Sequence, residues 1–200
     1  MFITVEGIDG SGKSTLARAL AERLAQRLGA DRVVLTREPT DTSEWGRRLR
    51  RSEQEGRLSR EEEIAHFHKD RLHHLAAVVK PALAAGKIVI SDRYVDSMLA
   101  YQARDPADAD RLLASMASEI LEPDLVLLLE LPVTTALERI GGAREARTSF
   151  EREETLKRAA AIYASRKGAR YHRLGAAKGA ADLLADAVAV VEERLKQRKA

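Results

Sequence analysis

The sequence predicts a three-layer α/β/α fold, a doubly wound parallel sheet with helices on both faces. Three observations predict it. An apolar strand, a glycine-rich turn and an amphipathic helix follow one another at the start of the chain. Strand-like and helix-like patterns then alternate to its end, as they do where helices cross over a parallel sheet. Leu125-Val126-Leu127-Leu128-Leu129 is aliphatic without alternation, the pattern of a strand buried on both faces. Right-handed crossovers and a ligand crevice at a topological switch point follow from that class.

Phe2-Ile3-Thr4-Val5 is short, apolar and partly β-branched, and reads as the first buried strand. It runs into Glu6-Gly7-Ile8-Asp9-Gly10-Ser11-Gly12-Lys13-Ser14-Thr15. Gly7, four residues, and then Gly12-Lys13-Ser14 is the spacing of a phosphate-binding loop. Glycines let successive N–H groups point into one concavity, and the helix that follows adds its positive N-terminal end. Lys13 can reach the β- and γ-phosphates, and the Ser14 hydroxyl can ligate Mg²⁺. The helix is read from Leu16, Leu20, Leu24 and Leu28, with Arg18, Glu22, Arg23 and Arg27 between them.

Gly29 stops this helix. Arg32 to Thr36 reads as the second strand and delivers Arg37-Glu38-Pro39 at its carboxyl end, where open α/β sheets place ligands. Taken alone, Arg37 is equally a solvated loop cation. Trp45 to Arg51 reads as a short, basic, exposed helix. Glu61 to Ala85 is the longest helical pattern, with Ile64, Phe67, Leu75, Val78, Val79 and Leu83 on or near one side. Phe67 and Arg71 are four apart and share a face; spacing alone makes Phe67 core and Arg71 surface. His66, His68, His73 and His74 read as a polar, solvated face, since zinc sites show tighter ligand sets. Pro81 kinks this helix or starts a new turn, and Gly86 ends it.

Lys87 to Ser91 is β-favouring and ends in Asp92, an arrangement that presents a carboxylate to Mg²⁺. In a purely structural role Asp92 would cap the next helix. Arg93 and Tyr94 follow at the same edge, and Ser97, Tyr101 and Gln102 lie about a turn apart on a helical start. Asp105 to Asp110 reads as a polar loop or cap, and Arg111 to Leu121 as a helix broken by Pro123. After the Leu125–Leu129 strand, Val133 to Ile140 is helical. Gly141 to Phe150 has two glycines followed by Arg144 and Arg147, the composition of a lid over phosphates and also of a plain solvated loop. Glu151 to Arg166 continues as a helix, Arg170 to Leu174 is a last short strand, and Leu183, Leu184, Ala187, Val188, Val191 and Leu195 mark a terminal amphipathic helix. No linker or repeat interrupts the pattern, so residues 1–200 read as one domain.

Net charge is +3 and the isoelectric point about 9.3, which suits nucleotide phosphates and equally nucleic acid. Aromatic residues are only 4%, thin for a single-strand stacking platform. There is no cysteine, which excludes disulfides and fits a reducing cytoplasm. No basic leader followed by an apolar run opens the chain, and Leu125–Leu129 is far too short to span a bilayer. The expectation is a cytoplasmic protein that engages neither membrane nor nucleic acid.

As an ordered set, these motifs resemble those of the thymidylate kinases over nearly the whole length. The resemblance rests on Glu6 to Thr15, Thr36-Arg37-Glu38-Pro39, the Phe67/Arg71 pair ahead of Val79-Lys80-Pro81-Ala82-Leu83, Asp92-Arg93-Tyr94 with Ser97 and Ala100-Tyr101-Gln102, Glu122-Pro123-Asp124-Leu125, and Arg147 sixteen residues before Tyr163. It implies a P-loop NTPase-type fold with a five-stranded parallel sheet, a lid around residues 141–152, a homodimer, and transfer of the ATP γ-phosphoryl group to dTMP with Mg²⁺. Gly7, Ile8, Asp9, Gly10, Ser11, Gly12, Lys13, Ser14 and Thr15, with Arg144 and Arg147, would bind ATP. Ser14 and Asp92 would hold the metal. Asp9 would accept a hydrogen bond from the 3′-hydroxyl of dTMP, Arg37 and Arg93 would hold its phosphate, and Phe67 would stack on thymine. Arg71 would donate to O4, Tyr101 would lie beneath the sugar, and Gln102 would face the base, with Pro39 and Ser97 completing that site.

In one subgroup of the resembled family the catalytic arginine stands inside the P-loop, at the position of Gly10. Its absence here assigns that task to Arg147, alongside Lys13 and Arg93. Two positions depart from the family pattern. Met98 stands where many relatives carry a polar residue that bonds thymine N3, so base selectivity leans on Arg71 and Gln102. Ser149 stands where a glutamate often follows the lid arginine by two places. Other readings are a kinase of another nucleoside monophosphate or of a nucleoside, and a nucleotide-gated nucleic-acid-binding protein. A GTPase lacks support, because no Asn-Lys-x-Asp signature appears.

Overall fold

A computed structural model describes residues 1–52, 55–56, 58–141 and 146–198, with the backbone alone for 146–151. Five parallel strands form one sheet: β1 (Phe2–Gly7), β2 (Val33–Arg37), β3 (Ile88–Asp92), β4 (Leu125–Glu130) and β5 (Tyr171–Gly175). Their order is β2-β3-β1-β4-β5. The non-alternating strands are the central ones. Every residue of β1 is buried, as are Leu125 to Leu129 of β4, because helices cover both faces of the sheet. β2 is an edge strand and leaves Leu35 46% exposed.

The order creates the crevice. From β1 the chain crosses to β2 on one side; from β3, which pairs with β1, it crosses to β4 on the other. The carboxyl ends of β1 and β3 therefore open onto the switch point. Register sets which residues meet there: Val5 pairs with Asp92, Arg37 with Asp92, and Gly7 with Leu129.

Helix α1 (Lys13–Leu28) buries Leu16, Leu20 and Leu24 against the sheet. The fourth residue of that stripe, Leu28, is the last of the helix and is 45% exposed. Helix α2 (Glu44–Arg50) is capped by Ser43, whose hydroxyl accepts the Gly46 N–H. It is not wholly exposed as expected: Gly46 and Leu49 are buried on its inner face. The long helical pattern resolves into α3 (Arg60–His74), a π turn over Leu75–Val79, and α4 (Lys80–Ala84) with Pro81 in its first turn. A capping box of Ser59 and Glu62 fixes the start of α3.

Helices α5 (Val95–Gln102), α6 (Pro106–Met116), α7 (Val133–Ile140), α8 (Ala146–Ser165) and α9 (Ala180–Gln197) complete the layers. The expected helix over Arg111–Leu121 is corrected to α6. Asp105 accepts the Asp108 N–H as its cap and Pro106 fits the first turn, so the helix starts earlier and ends at Met116. Among the described residues no helix is long and apolar enough to cross a membrane.

Candidate active site

The loop after β1 turns on its glycines. Gly10 (φ +82°) and Gly12 (φ +90°) take left-handed backbone. At Gly10 a Cβ would stand 2.6 Å from the Ala136 carbonyl oxygen, so no side chain fits there without moving α7. Lys13 is buried at the mouth of this loop, its Nζ donating to the Ile8 carbonyl at 2.8 Å and lying 3.6 Å from Asp9 Oδ1. Burial, and then the charge of Arg93, push its ammonium down to about 8. Ser14 Oγ donates to Asp92 Oδ2 at 2.5 Å. Asp92 Oδ1 is buried and has no hydrogen-bond partner. Asp92 does not cap the next helix; Tyr94 occupies that position.

One flank of the loop opens into a cavity of about 180 Å³ lined by Asp9, Glu38, Pro39, Phe67, Arg93, Tyr94, Ser97, Met98 and Tyr101. Arg93 stands at its phosphate-loop end in a left-handed conformation (φ +73°), a strained state for a long side chain. Its guanidinium pairs with Asp9 Oδ1, reaches Ser97 Oγ at 3.5 Å, and lies 5.7 Å from the centre of the Tyr101 ring. The Tyr101 hydroxyl accepts the Asp9 backbone N–H at 2.8 Å, which ties α5 to the loop. Burial pushes the Asp9 carboxyl up, but Arg93 and Lys13 outweigh it and hold it below the usual range.

Beneath Arg93 lies Glu6, fully buried. Its carboxyl accepts the Tyr94 N–H at 2.7 Å, the Ser97 hydroxyl and the Tyr163 hydroxyl at 3.2 Å. Burial first, and then the charge of Asp96, push Glu6 up to about 8. Behind the Met98 wall of the cavity lies Arg71. It is fully buried rather than on the surface, because Glu38, from the end of β2, neutralises it at 2.9 Å. His74 is likewise fully buried and corrects the expected solvated histidine face; it bridges Glu38 and Thr36.

The other flank of the loop carries a second cavity, about 220 Å³, lined by Ser11, Gly12, Thr15, Leu16, Ala19, Arg139, Ala176, Lys178, Ala180 and Leu183. One phosphate loop thus separates two cavities, one apolar-walled with Arg93 in its lining and Arg71 buried behind it, the other built on the first turns of α1.

The thymidylate kinase family model matches residues 5–186. A thymidylate kinase of Xanthomonas campestris is 45% identical over 199 residues, covering 99% of this chain and 86% of that one. A probable thymidylate kinase of Thermococcus onnurineus is 41% identical, covering 99% of this chain and all of its own. The chain belongs to the thymidylate kinase family. The crystal structure of the thymidylate kinase from Ehrlichia chaffeensis superposes with a TM-score of 0.68 at 29% identity, covering 96% of this chain and 98% of that one. Members of this family are nucleoside monophosphate kinases, ATP-dependent phosphotransferases.

Within that family frame, the structure brings Asp9, Pro39, Phe67, Arg93, Ser97 and Tyr101 around one cavity, with Arg71 behind its end wall. It does not bring Arg37 or Gln102 there. Arg37 is exposed at the tip of β2. Gln102 lines a separate polar cavity of about 530 Å³ with Arg60, Arg104 and Arg158, and its carbonyl accepts Arg60 Nε at 2.6 Å. Arg144 lies outside the described residues. Arg147 is in the first turn of α8, and its side chain also lies outside them. Sequence reasoning passed over Glu38, Glu6 and His74 as working residues, and Arg139, Ala176 and Lys178 of the second cavity. The Thr36–Pro39 motif already contained Glu38. The motif from Glu6 to Thr15 likewise contained Glu6, and nothing in local spacing marks the other four.

Proposed function

We propose that this protein transfers the ATP γ-phosphoryl group to the 5′-phosphate of dTMP, giving dTDP and ADP. One observation carries this reading: a single phosphate loop stands between two cavities, with Arg93 where the acceptor's phosphate would meet it and Arg71 where a base would end. The triphosphate lies along Gly7 to Thr15, and the adenine enters the cavity beside Ala176 and Lys178. The thymine stacks on Phe67, its sugar rests over Tyr101, and Asp9 accepts the 3′-hydroxyl with the oxygen that Arg93 leaves free. Arg37, an exposed cation at the end of β2, is assigned to the same phosphate.

A phosphate monoester is largely dianionic at neutral pH, its second pKa being about 6, so no general base is required. The protein's task is positioning and charge neutralisation. Lys13 exchanges the Ile8 carbonyl for charged phosphate oxygens. Burial by itself would lower the Arg93 pKa, but Asp9 and the neighbouring tyrosines raise it, so the guanidinium stays charged. The site also fits Mg²⁺: a hydroxyl and a carboxylate supply hard oxygen donors, and Asp92 Oδ1 is buried without a partner. Ser14 and Asp92 would hold the ion, which supplies neutralisation of phosphate charge when bound.

The lid, residues 141–152, brings Arg147 over the phosphates, with Arg144 assisting. The crowding at Gly10 supports this, since the loop itself has no room for a cation there. We assign the whole chain to one such kinase domain, working as a homodimer in the cytoplasm without nucleic acid. ADP release measured with a panel of nucleoside monophosphates tests the reading. dTMP should be the best acceptor, dUMP weaker, and AMP, CMP and GMP near background. Equal turnover of any ribonucleotide, or of DNA-stimulated hydrolysis, would refute it.

A further inference from the structure

We propose that Glu38 and His74 set base selectivity by fixing the direction of the Arg71 guanidinium at the end of the acceptor cavity. The inference rests on the dTMP reading above. Arg71 is a fully buried cation, and such a group needs a partner. Glu38 Oε2 takes its Nε at 3.0 Å and stands 2.9 Å from Nη2. The other carboxylate oxygen, Oε1, faces His74 Nδ1 at 3.0 Å, and His74 Nε2 lies 2.7 Å from Thr36 Oγ1. An ionised carboxylate only accepts, so Nδ1 carries a proton toward Glu38, and Nε2 shares a hydrogen bond with the Thr36 hydroxyl. Glu38 thus holds the Nε side of the guanidinium; Nη2, 2.9 Å from it, is buried without a hydrogen-bond partner, and the remaining edge is turned toward Met98 of the cavity wall.

That edge is Nη1. It faces Met98 Sδ at 3.7 Å and Met116 Sδ at 4.0 Å, and the guanidinium carbon lies 5.1 Å from the Tyr94 ring centre. Thioether sulfur is a weak acceptor, so a base carbonyl oxygen entering the cavity is the stronger partner for Nη1. Met98 also lines the cavity and offers no group that a base N–H could pair with well. The base edge is thus read by a single cationic donor. It accepts a C4 carbonyl, as in thymine and uracil. It rejects the C4 amine of cytosine, which would leave two donors facing each other unpaired. It is indifferent to the C5 methyl. Without Glu38 the charge would persist but its direction would not.

The test compares kcat/KM for dTMP, dUMP and dCMP in Glu38→Gln, His74→Leu and His74→Asn. The glutamine keeps the size of Glu38 but turns an amide donor toward Nδ1–H. Glu38→Gln should lower the dTMP-over-dCMP preference by at least tenfold, through KM for dTMP rather than for ATP, and leave the dTMP-over-dUMP ratio unchanged. His74→Leu leaves the Arg71–Glu38 pair intact and decides alone if Glu38→Gln does not fold. It should lower the same preference at least threefold. His74→Asn, whose amide N–H replaces Nδ1–H, should restore it. A wild-type dTMP-over-dCMP preference in His74→Leu, or a loss shared equally by all three nucleotides, overturns the inference. A wild-type protein that releases no ADP with dTMP overturns the reading beneath it, which is a different result.

Discussion

If the proposed roles hold, single replacements of Phe67 and Arg147 should separate binding from chemistry. Phe67, on α3, is half-buried on the wall of the cavity that holds Arg93 and does not line the cavity on the phosphate loop's other flank. Losing a base-stacking ring costs about 1–3 kcal/mol by analogy with nucleic-acid platforms. Phe67→Ala should therefore raise KM for dTMP by roughly 5- to 150-fold while KM for ATP stays near the wild-type value. A change confined to ATP would place the ring elsewhere. Arg147 has the opposite signature. An arginine delivered to the transferring phosphoryl group can contribute roughly 10³–10⁵-fold in rate. Arg147→Ala should lower the single-turnover rate at least about tenfold, with little change in equilibrium binding of dTMP. Wild-type single-turnover rates in that variant would show an arginine that only meets solvent.

The elements differ in how plainly their sequence announces them. The strand, glycine loop and helix at residues 2–28 are legible because their signals are local: a spacing, a stripe, a run of β-branched residues. The buried cations and acids are not. Arg71 reads as surface from its own helix, and only Glu38, thirty-three positions earlier on another element, makes its burial possible. His74 is hidden for the same reason, and the second cavity joins the phosphate loop and α1 to α7, the turn after β5 and α9, of which only the loop carries a motif. The joint between α2 and α3 is a further case. Asp70 of α3 accepts the Thr40 N–H at 2.7 Å and both the Thr40 and Ser43 hydroxyls, so it holds the segment that carries Glu38 and Pro39. Gly46 lets α2 pack that close: a Cβ there would stand well inside van der Waals contact of the Thr40 carbonyl oxygen and of Asp70 Oδ1. Gly46→Ala should then destabilise the fold by about 1–3 kcal/mol, as overpacking does, and weaken dTMP more than ATP. An unchanged melting temperature would mean that this joint is not tight.

At the scale of the whole molecule, the site's charges sit on a buried acidic floor, and that floor makes stability depend on pH. Glu6 and Asp96 are both fully buried, Glu6 under the phosphate loop and Asp96 beside the Tyr171 hydroxyl at 3.1 Å. Burial raises both carboxyls, and the charge of Asp96 raises Glu6 further, to about 8 from 4.5. Below about 4.5 the folded and unfolded chains both hold the Glu6 proton, and its contribution to stability is complete. As pH rises from there toward 8 the unfolded chain releases that proton and the folded chain does not, so stability falls; past 8 the contribution is gone. At about 1.4 kcal/mol per unit the ceiling is roughly 4–5 kcal/mol, a drop in melting temperature on the order of 10 °C for a chain of this size. Asp9 works the other way, since its lowered carboxyl favours the fold above its ordinary range, but that titration is finished before pH 5. Between pH 5 and 8 the Glu6 slope should therefore dominate. Glu6→Gln keeps an acceptor for the Tyr94 N–H and mimics the protonated acid, so it should flatten the decline without lowering stability at pH 8. Thermal melts of the two proteins across that range decide it: a wild-type melting temperature that holds or climbs toward pH 8, or an equal slope in Glu6→Gln, would place the titrating charge somewhere other than beneath the phosphate loop.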